Sequence, residues 1–348
     1  MRRSRAALAA VLMILMLAAV SVGTAVAANP NSNAAAKARA EHARVIAYWT
    51  AERIANAKPR DFVRTAAGTF KPAAKPDNPG SKPGGGGGGG GGTTTVVKGA
   101  SWTGGGPVVD RTGKVLFTMG GGNYVCSASG VADSRNGFSL ILTAAHCAYD
   151  EVANAFATNW IYVPSFDTAP TFTCAQSAYG CWTTAGGGLV VHSGYTTAGG
   201  FNTQATIHDF AIAFVGPGGK NGTTLLESLG TYGISYPAIS TGGSVHAFGY
   251  PAAGKYKGRD LTYCAGPTFN DQYNEGKTWG IACNMTGGSS GGPWLADFTQ
   301  SGGGTLTSLN SYGYSGLSNM YGPKFNLATK AVFDTANASA TNGNAIAP

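Results

Sequence analysis

From about residue 96 the chain is a succession of short apolar runs separated by clusters of Gly, Asn and Ser. Runs at 115–117, 124–126, 138–142, 161–163, 210–215, 244–249, 278–283, 293–295 and 306–311 all have strand length. Long helical periodicity is absent, except that Leu327, Ala328, Ala331 and Phe333 sit near helical spacing and predict one helix over 326–337. Many short strands with close turn signals predict an all-β barrel or sandwich. A stretch of about 240 residues is ample for a buried core.

Before residue 97 the pattern differs. Residues 36–58 are Ala-rich and carry Val45, Ile46, Trp49 and Ile54 as a partial helical stripe, ended by Lys58-Pro59. Pro72, Pro76, Pro79 and Pro83 follow, and then an unbroken glycine run over 84–92. Such a run has no apolar content to form a core and predicts a flexible linker. At the start, Arg2, Arg3 and Arg5 precede an apolar stretch over 6–20, and Ala25-Val26-Ala27 offers small residues for cleavage. This is the pattern of a secretory signal. The apolar stretch is close to bilayer-spanning length, but Ser21, Gly23 and Thr24 weaken it and Asn29-Pro30 interrupts it. The expected organisation is a signal peptide over 1–28, a partly helical pro-segment over 29–83, a glycine-rich linker over 84–97, a globular domain over 98–338 and a flexible tail over 339–348. The expected destination is extracellular, without a stable membrane anchor.

The net charge of +8 does not describe the globular part. Residues 1–99 carry 14 Lys/Arg against 4 Asp/Glu, whereas residues 100–348 carry 10 against 12. A nucleic-acid partner would need a basic face on the folded domain, and none is expected. All six cysteines follow residue 125. An even number behind a secretory signal predicts three disulfides, for which fifteen pairings are open. Proximity favours Cys174 with Cys181. No Cys-x-x-Cys spacing occurs, the five histidines are scattered, and no ordered oxygen-ligand pattern surrounds Asp150, Glu151 or Asp297. No metal or cofactor is therefore expected.

Two segments carry candidate chemistry. Leu142-Thr143-Ala144-Ala145-His146-Cys147 sets a histidine at the end of an apolar run, and Gly287-Gly288-Ser289-Ser290-Gly291-Gly292-Pro293 surrounds a serine with glycines. A serine hydroxyl is a weak nucleophile until a base takes its proton. Glycines let the backbone turn sharply enough for amide N–H groups to face an oxyanion. Of the carboxylates between the two, Asp209 opens the run Phe210-Ala211-Ile212-Ala213-Phe214-Val215 and would be partly buried, as the residue that orients a base must be. His208, beside it, would point to the opposite face of a strand and is expected to be a surface or barrel-packing residue. His246, inside a predicted strand, is likewise expected to be structural.

Thr143-Ala144-Ala145-His146-Cys147, Asp209-Phe210-Ala211-Ile212 and Gly288-Ser289-Ser290-Gly291-Gly292-Pro293, in that order, resemble the three motifs of the chymotrypsin-like serine peptidases. The similarity covers about residues 98–335. Thr286-Gly287-Gly288-Ser289-Ser290-Gly291 and Tyr321-Gly322-Pro323 look more like secreted bacterial glutamyl-endopeptidase-type enzymes. The resemblance implies two Greek-key β-barrels with the active site in the cleft between them. It implies a secreted serine endopeptidase. The alternative of a serine esterase draws on the Gly-x-Ser-x-Gly string, but Pro293 follows at once, no helix is readable, and the histidine precedes the serine. A non-catalytic binding or adhesion protein on the same scaffold is the other alternative. By resemblance His146 is the base, Asp209 orients it, Ser290 attacks, and the amides of Gly288 and Ser290 bind the oxyanion. Cys126 would pair with Cys147, and Cys264 with Cys283.

Two departures from the family pattern carry expectations of their own. The position before the nucleophile, an aspartate in vertebrate zymogens, is Ser289. Activation through an ion pair with a new N-terminus is therefore not expected, and the pro-segment is the expected inhibitor or folding aid. The substrate pocket is expected from Asn284, Met285 and Thr286 and from Asn310, Ser311, Tyr312 and Gly313, with Asn310 where a glutamate-reading histidine would stand. With no acid in the trypsin-like position, a neutral, medium or large apolar side chain is expected to fit. The expected partners are polypeptide substrates, and the expected state is a monomer.

Overall fold

A computed structural model of the chain describes residues 30–73, 95–135, 137–166, 172–237, 239–339 and 343–348. The expected signal peptide and the glycine run lie outside the described residues. The described part of the expected pro-segment is a helix Pro30–Tyr48, a short helix Ala51–Asn56 capped by the Thr50 side chain, and three strands, β1 (Lys58–Pro59), β2 (Phe62–Arg64) and β3 (Phe70–Pro72). After the linker, β4 (Val97–Ser101) begins the main body.

The first half is a closed barrel of six strands: β5 (Thr112–Met119), β6 (Gly122–Val131), β7 (Ser139–Thr143), β10 (Thr158–Pro164), β11 (Trp182–His192) and β12 (Ala211–Val215). A small hairpin of β8 (Tyr149–Asp150) and β9 (Ala155–Phe156) lies between β7 and β10. The barrel closes because β7 pairs with both β12 and β6. β12 is buried at all five positions. Its inner face fills the barrel, and the C-terminal helix Leu327–Ala338 packs over β11 and β12. This accounts for an unbroken apolar run where a half-exposed strand would alternate. The helix starts where the Asn326 side chain accepts from the Ala328 and Thr329 amides, as an N-cap does.

The second half consists of two sheets. One has the order β13 (Gly233–Ile234), β19 (Thr305–Leu309), β18 (Pro293–Ala296), β14 (Ser244–Gly249), β15 (Thr262–Pro267) and β4. The other has the order β16 (Phe269–Asn270), β17 (Thr278–Ala282), β21 (Asn319–Pro323), β20 (Tyr312–Tyr314), β2 and β3. Val245, Ala247, Trp279, Ile281, Met285 and Trp294 form a core in this half. The architecture is the expected all-β fold of two barrels with a short C-terminal helix. Cysteine pairs 126–147, 174–181 and 264–283 are all disulfide-bonded, as expected.

The chain end departs from expectation. Instead of a flexible tail over 339–348, β22 (Ala345–Ala347) pairs in parallel with Val190–His192 of β11. The N-terminal segment is integrated with the body. It does not stand apart from the domain but adds β1 to the edge of β6 and β2 to the edge of β20. Val45 and Trp49 are 2% exposed and join the main core, and the Trp49 indole donates to the Asn159 carbonyl.

Candidate active site

Strand register brings the site together. β12 and β7 run antiparallel with Ala211 opposite Thr143. Two residues before Ala211, Asp209 therefore falls beside the turn that follows Thr143. That turn is a single 3-10 turn, Ala145–Cys147, tied back to β6 by the Cys126–Cys147 disulfide. Asp209 Oδ1 accepts from the His146 amide at 2.9 Å, and Oδ2 lies 2.8 Å from His146 Nδ1. Both residues have no exposed surface. A third donor, the Ser311 hydroxyl, also reaches Asp209 Oδ2. Three hydrogen bonds satisfy a carboxylate that would otherwise be costly to bury.

The serine loop is held by its glycines. Gly288 and Gly291 have φ of +97° and +83°, in the left-handed region. A Cβ on Gly291 would stand 2.3 Å from Thr143 Oγ1, 2.4 Å from the Ser127 carbonyl oxygen and 2.8 Å from the Ala144 amide. Two of these are backbone atoms and cannot swing aside. Gly291→Ala is therefore expected to cost about 3 kcal/mol or more of stability, read as a lowered thermal midpoint in a Ser290→Ala background. An unchanged midpoint would show that the loop relaxes freely.

Ser127 stitches this loop to the first barrel. Its amide donates to the Ser290 carbonyl at 2.7 Å, and its hydroxyl donates to the Gly288 carbonyl at 2.8 Å. Within the loop, the amides of Ser289, Gly291 and Gly292 donate to the carbonyls of Thr286, Asn310 and Ser289. The Ser289 hydroxyl turns back onto the Thr286 carbonyl at 2.8 Å, so this position supports the loop internally.

The residues expected to form the substrate pocket divide. Asn310 is fully buried: it accepts from the Trp294 indole at 2.8 Å and donates to the carbonyls of Phe248 and Ser289. Its side chain supports the serine loop and does not stand where a substrate could be read. Asn284 accepts from the Tyr256 hydroxyl at 2.6 Å, and Met285 is 6% exposed within the second core. Ser311 serves Asp209. Tyr312 gives its hydroxyl to the buried Asp271 at 2.6 Å. Thr286 and Gly313 remain at the cleft: Thr286 Oγ1 donates to the Ala253 carbonyl, and Gly313 pairs with Val63. His208 precedes β12 as the C-cap of a short helix, and both it and His246 make ring contacts. His208 stacks on His192 at 4.5 Å, and burial followed by the His192 charge pushes its pKa down to about 4. His246 lies against Phe298.

The pro-segment is the expected inhibitor, but none of its residues that occupy the cleft is among the sequence candidates. The Ser290 hydroxyl donates to Asp61 Oδ1 at 3.1 Å. His146 Nε2 is buried without a hydrogen-bond partner among the described residues. Phe62 stands edge-on to the His146 ring at 5.5 Å and stacks on Phe201 at 4.0 Å. Arg60 donates through Nη1 to the His146 carbonyl and places one nitrogen, Nη2, 3.2 Å and 3.0 Å from the two Glu151 oxygens. Only the combination of charged and aromatic residues in Arg60-Asp61-Phe62 could have signalled this.

Solved structures place the molecule among known proteins. Protease Anisep from Arthrobacter nicotinovorans is 38% identical, with a TM-score of 0.56, over 66% of this chain and 97% of that one. The chain belongs to the chymotrypsin-like serine proteases. A thermostable serine protease, AL20, from an extremophilic microorganism is 34% identical, with a TM-score of 0.57, over 67% of this chain and 99% of that one. A Glu endopeptidase in complex with MPD shares the fold at 18% identity and a TM-score of 0.51, over 70% of this chain and 97% of its own. No protein-family model and no curated protein matches this serine protease.

Proposed function

We propose that this serine protease is a secreted endopeptidase, made with its N-terminal segment seated in the cleft as a tethered inhibitor. The observation that carries the reading is the occupant of the cleft. Residues 58–64 cross it as extended polypeptide, backbone-paired to β6 at one end and to β20 at the other, with Ser290 between. A groove that holds a peptide backbone on both sides of a nucleophile suits cleavage within a chain better than hydrolysis of a small ester.

In the proposed reaction His146 takes the Ser290 proton as the hydroxyl attacks the scissile carbonyl. Asp209 holds the imidazole in the tautomer that leaves Nε2 free to accept, and it stabilises the imidazolium that forms. The amides of Gly288 and Ser290 stabilise the oxyanion. The acyl-enzyme forms as His146 returns the proton to the leaving amine, and water then repeats the sequence. The segment blocks this by presenting a side-chain carboxylate to Ser290 instead of a peptide carbonyl. A carboxylate is a poor electrophile, so the occupant is not consumed. Three disulfides fit an oxidising, extracellular setting. The acyl-side subsite, bounded by Thr286 and Gly313, neither of them charged, suits a neutral, medium or large apolar side chain. Chromogenic peptides cleaved only after Glu or Arg would overturn that preference.

A fluorophosphonate probe tests the function. Ser290 is expected to label rapidly after cleavage in the linker and release of the segment, and slowly in the full chain. Failure of the matured protein to label at Ser290 would favour a non-catalytic binding protein on this scaffold.

A further inference from the structure

Glu151 has no part in the chemistry described above, yet it is 4% exposed and lies against the wall that carries His146. Its Oε2 accepts from the Tyr195 hydroxyl at 3.0 Å. Burial, followed by the charges of Glu151 and Asp209, pushes the Tyr195 phenol well above its usual pKa, so it stays a donor. The other partner is the Arg60 guanidinium, which also binds the His146 carbonyl. Arg60 belongs to the segment that the proposed maturation removes. Once it leaves, Glu151 keeps one neutral donor and faces the cleft with an uncompensated charge. Departure of the segment opens that face to water, and a cation that covers it again restores the pairing. A carboxylate held this way presents both oxygens to one cationic nitrogen, as either a guanidinium or an ammonium can supply.

The side of the cleft follows from the order of pairing. Arg60 lies between β1, on β6, and Asp61, on Ser290, whereas β2 runs away along β20. The acyl-side subsite lies by Thr286 and Gly313, on the β20 side, so Glu151 is on the leaving-group side. We propose that Glu151 forms a leaving-group-side subsite for a basic side chain of the substrate, and that Arg60 fills it until the segment departs. The proposal rests on the endopeptidase reading and adds a second element of specificity to it, distinct from the apolar acyl-side preference.

Internally quenched peptides test it, with Arg, Lys, norleucine or Glu scanned through the first three leaving-group positions and an apolar residue kept on the acyl side. The enzyme is the full chain after its own maturation. Arg or Lys at one of these positions is expected to raise kcat/KM at least ten-fold over norleucine, and Glu to lower it. In Glu151→Gln the ratio of Arg to norleucine should fall to near one. A second measurement needs only the wild-type enzyme: a synthetic peptide of residues 57–65 should inhibit at least ten-fold more tightly with Arg60 than with norleucine in its place. A flat scan, a preference that survives Glu151→Gln, or equal inhibition by the two peptides would overturn the subsite. Fluorophosphonate labelling of the same sample separates the cases: a labelled enzyme with a flat scan loses the subsite alone, and an unlabelled one loses the protease reading.

Discussion

Asp209→Asn is expected to lower kcat of the matured enzyme by about 10⁴-fold, by analogy with the same change in a related triad. The hydrogen bonds here supply the reason. Asp209 Oδ1 must accept from the His146 amide, and Oδ2 must accept from Nδ1. An asparagine has one carbonyl oxygen to meet both demands. If that oxygen keeps the backbone amide, its NH₂ faces Nδ1 and drives the ring proton onto Nε2. Nε2 is the atom that has to receive the serine proton, so the base is disabled while the fold is kept. The check is kcat on a peptide substrate, normalised to folded protein. A loss under ten-fold would show that Asp209 merely packs beneath His146.

How much of this could be read from the chain depends on how local each feature is. His146 and Ser290 announce themselves because the turn after an apolar strand and the glycines around a nucleophile are conditions met by immediate neighbours. Asp209 needed one more step, the expectation that a carboxylate heading an apolar strand is buried, and the 211–143 register meets it. β11 was not among the predicted strands, because Gly186-Gly187-Gly188 interrupts its apolar run and removes the strand signal. Asn310 was misassigned because neighbourhood to the pocket does not fix direction: its amide turns inward to Trp294 and Phe248. Ser127 carries no signature at all, since any small polar residue in a strand looks the same until the serine loop arrives against it. Arg60-Asp61-Phe62 lies in a segment of proline and mixed charge, where Phe62-Val63 is too short an apolar run to signal a buried strand. Its role exists only through strand edges offered by residues more than 60 positions away.

Asp61 makes the hold of the segment depend on pH, and the direction can be worked out. Withdrawal from water is the main influence on its carboxyl; the field of His146 and the bonds from Ser290 and the Phe62 amide oppose it, and the nearby Asp209 charge reinforces it. The result raises its pKa from 3.8 to about 6. Arg60 beside it is already committed to Glu151. Above pH 6 the carboxyl is ionised whether docked or free, and linkage contributes nothing. As pH falls from 6 toward 3.8, the docked carboxyl takes up a proton that the free one does not, so docking tightens; below 3.8 the gain is complete. Two pKa units correspond to about 100-fold in affinity at most. The segment is therefore expected to hold hardest in acid and to loosen toward neutrality, where His146 must be neutral to act as a base. The measurement is the inhibition constant of a synthetic peptide of residues 57–65 against the matured enzyme between pH 4 and 7.5. In the same peptide Asp61→Asn, which cannot ionise, should flatten that slope while keeping a hydrogen-bond acceptor for Ser290. A slope of the opposite sign, or one that survives Asp61→Asn, would assign the pH dependence to His146 or Glu151 instead.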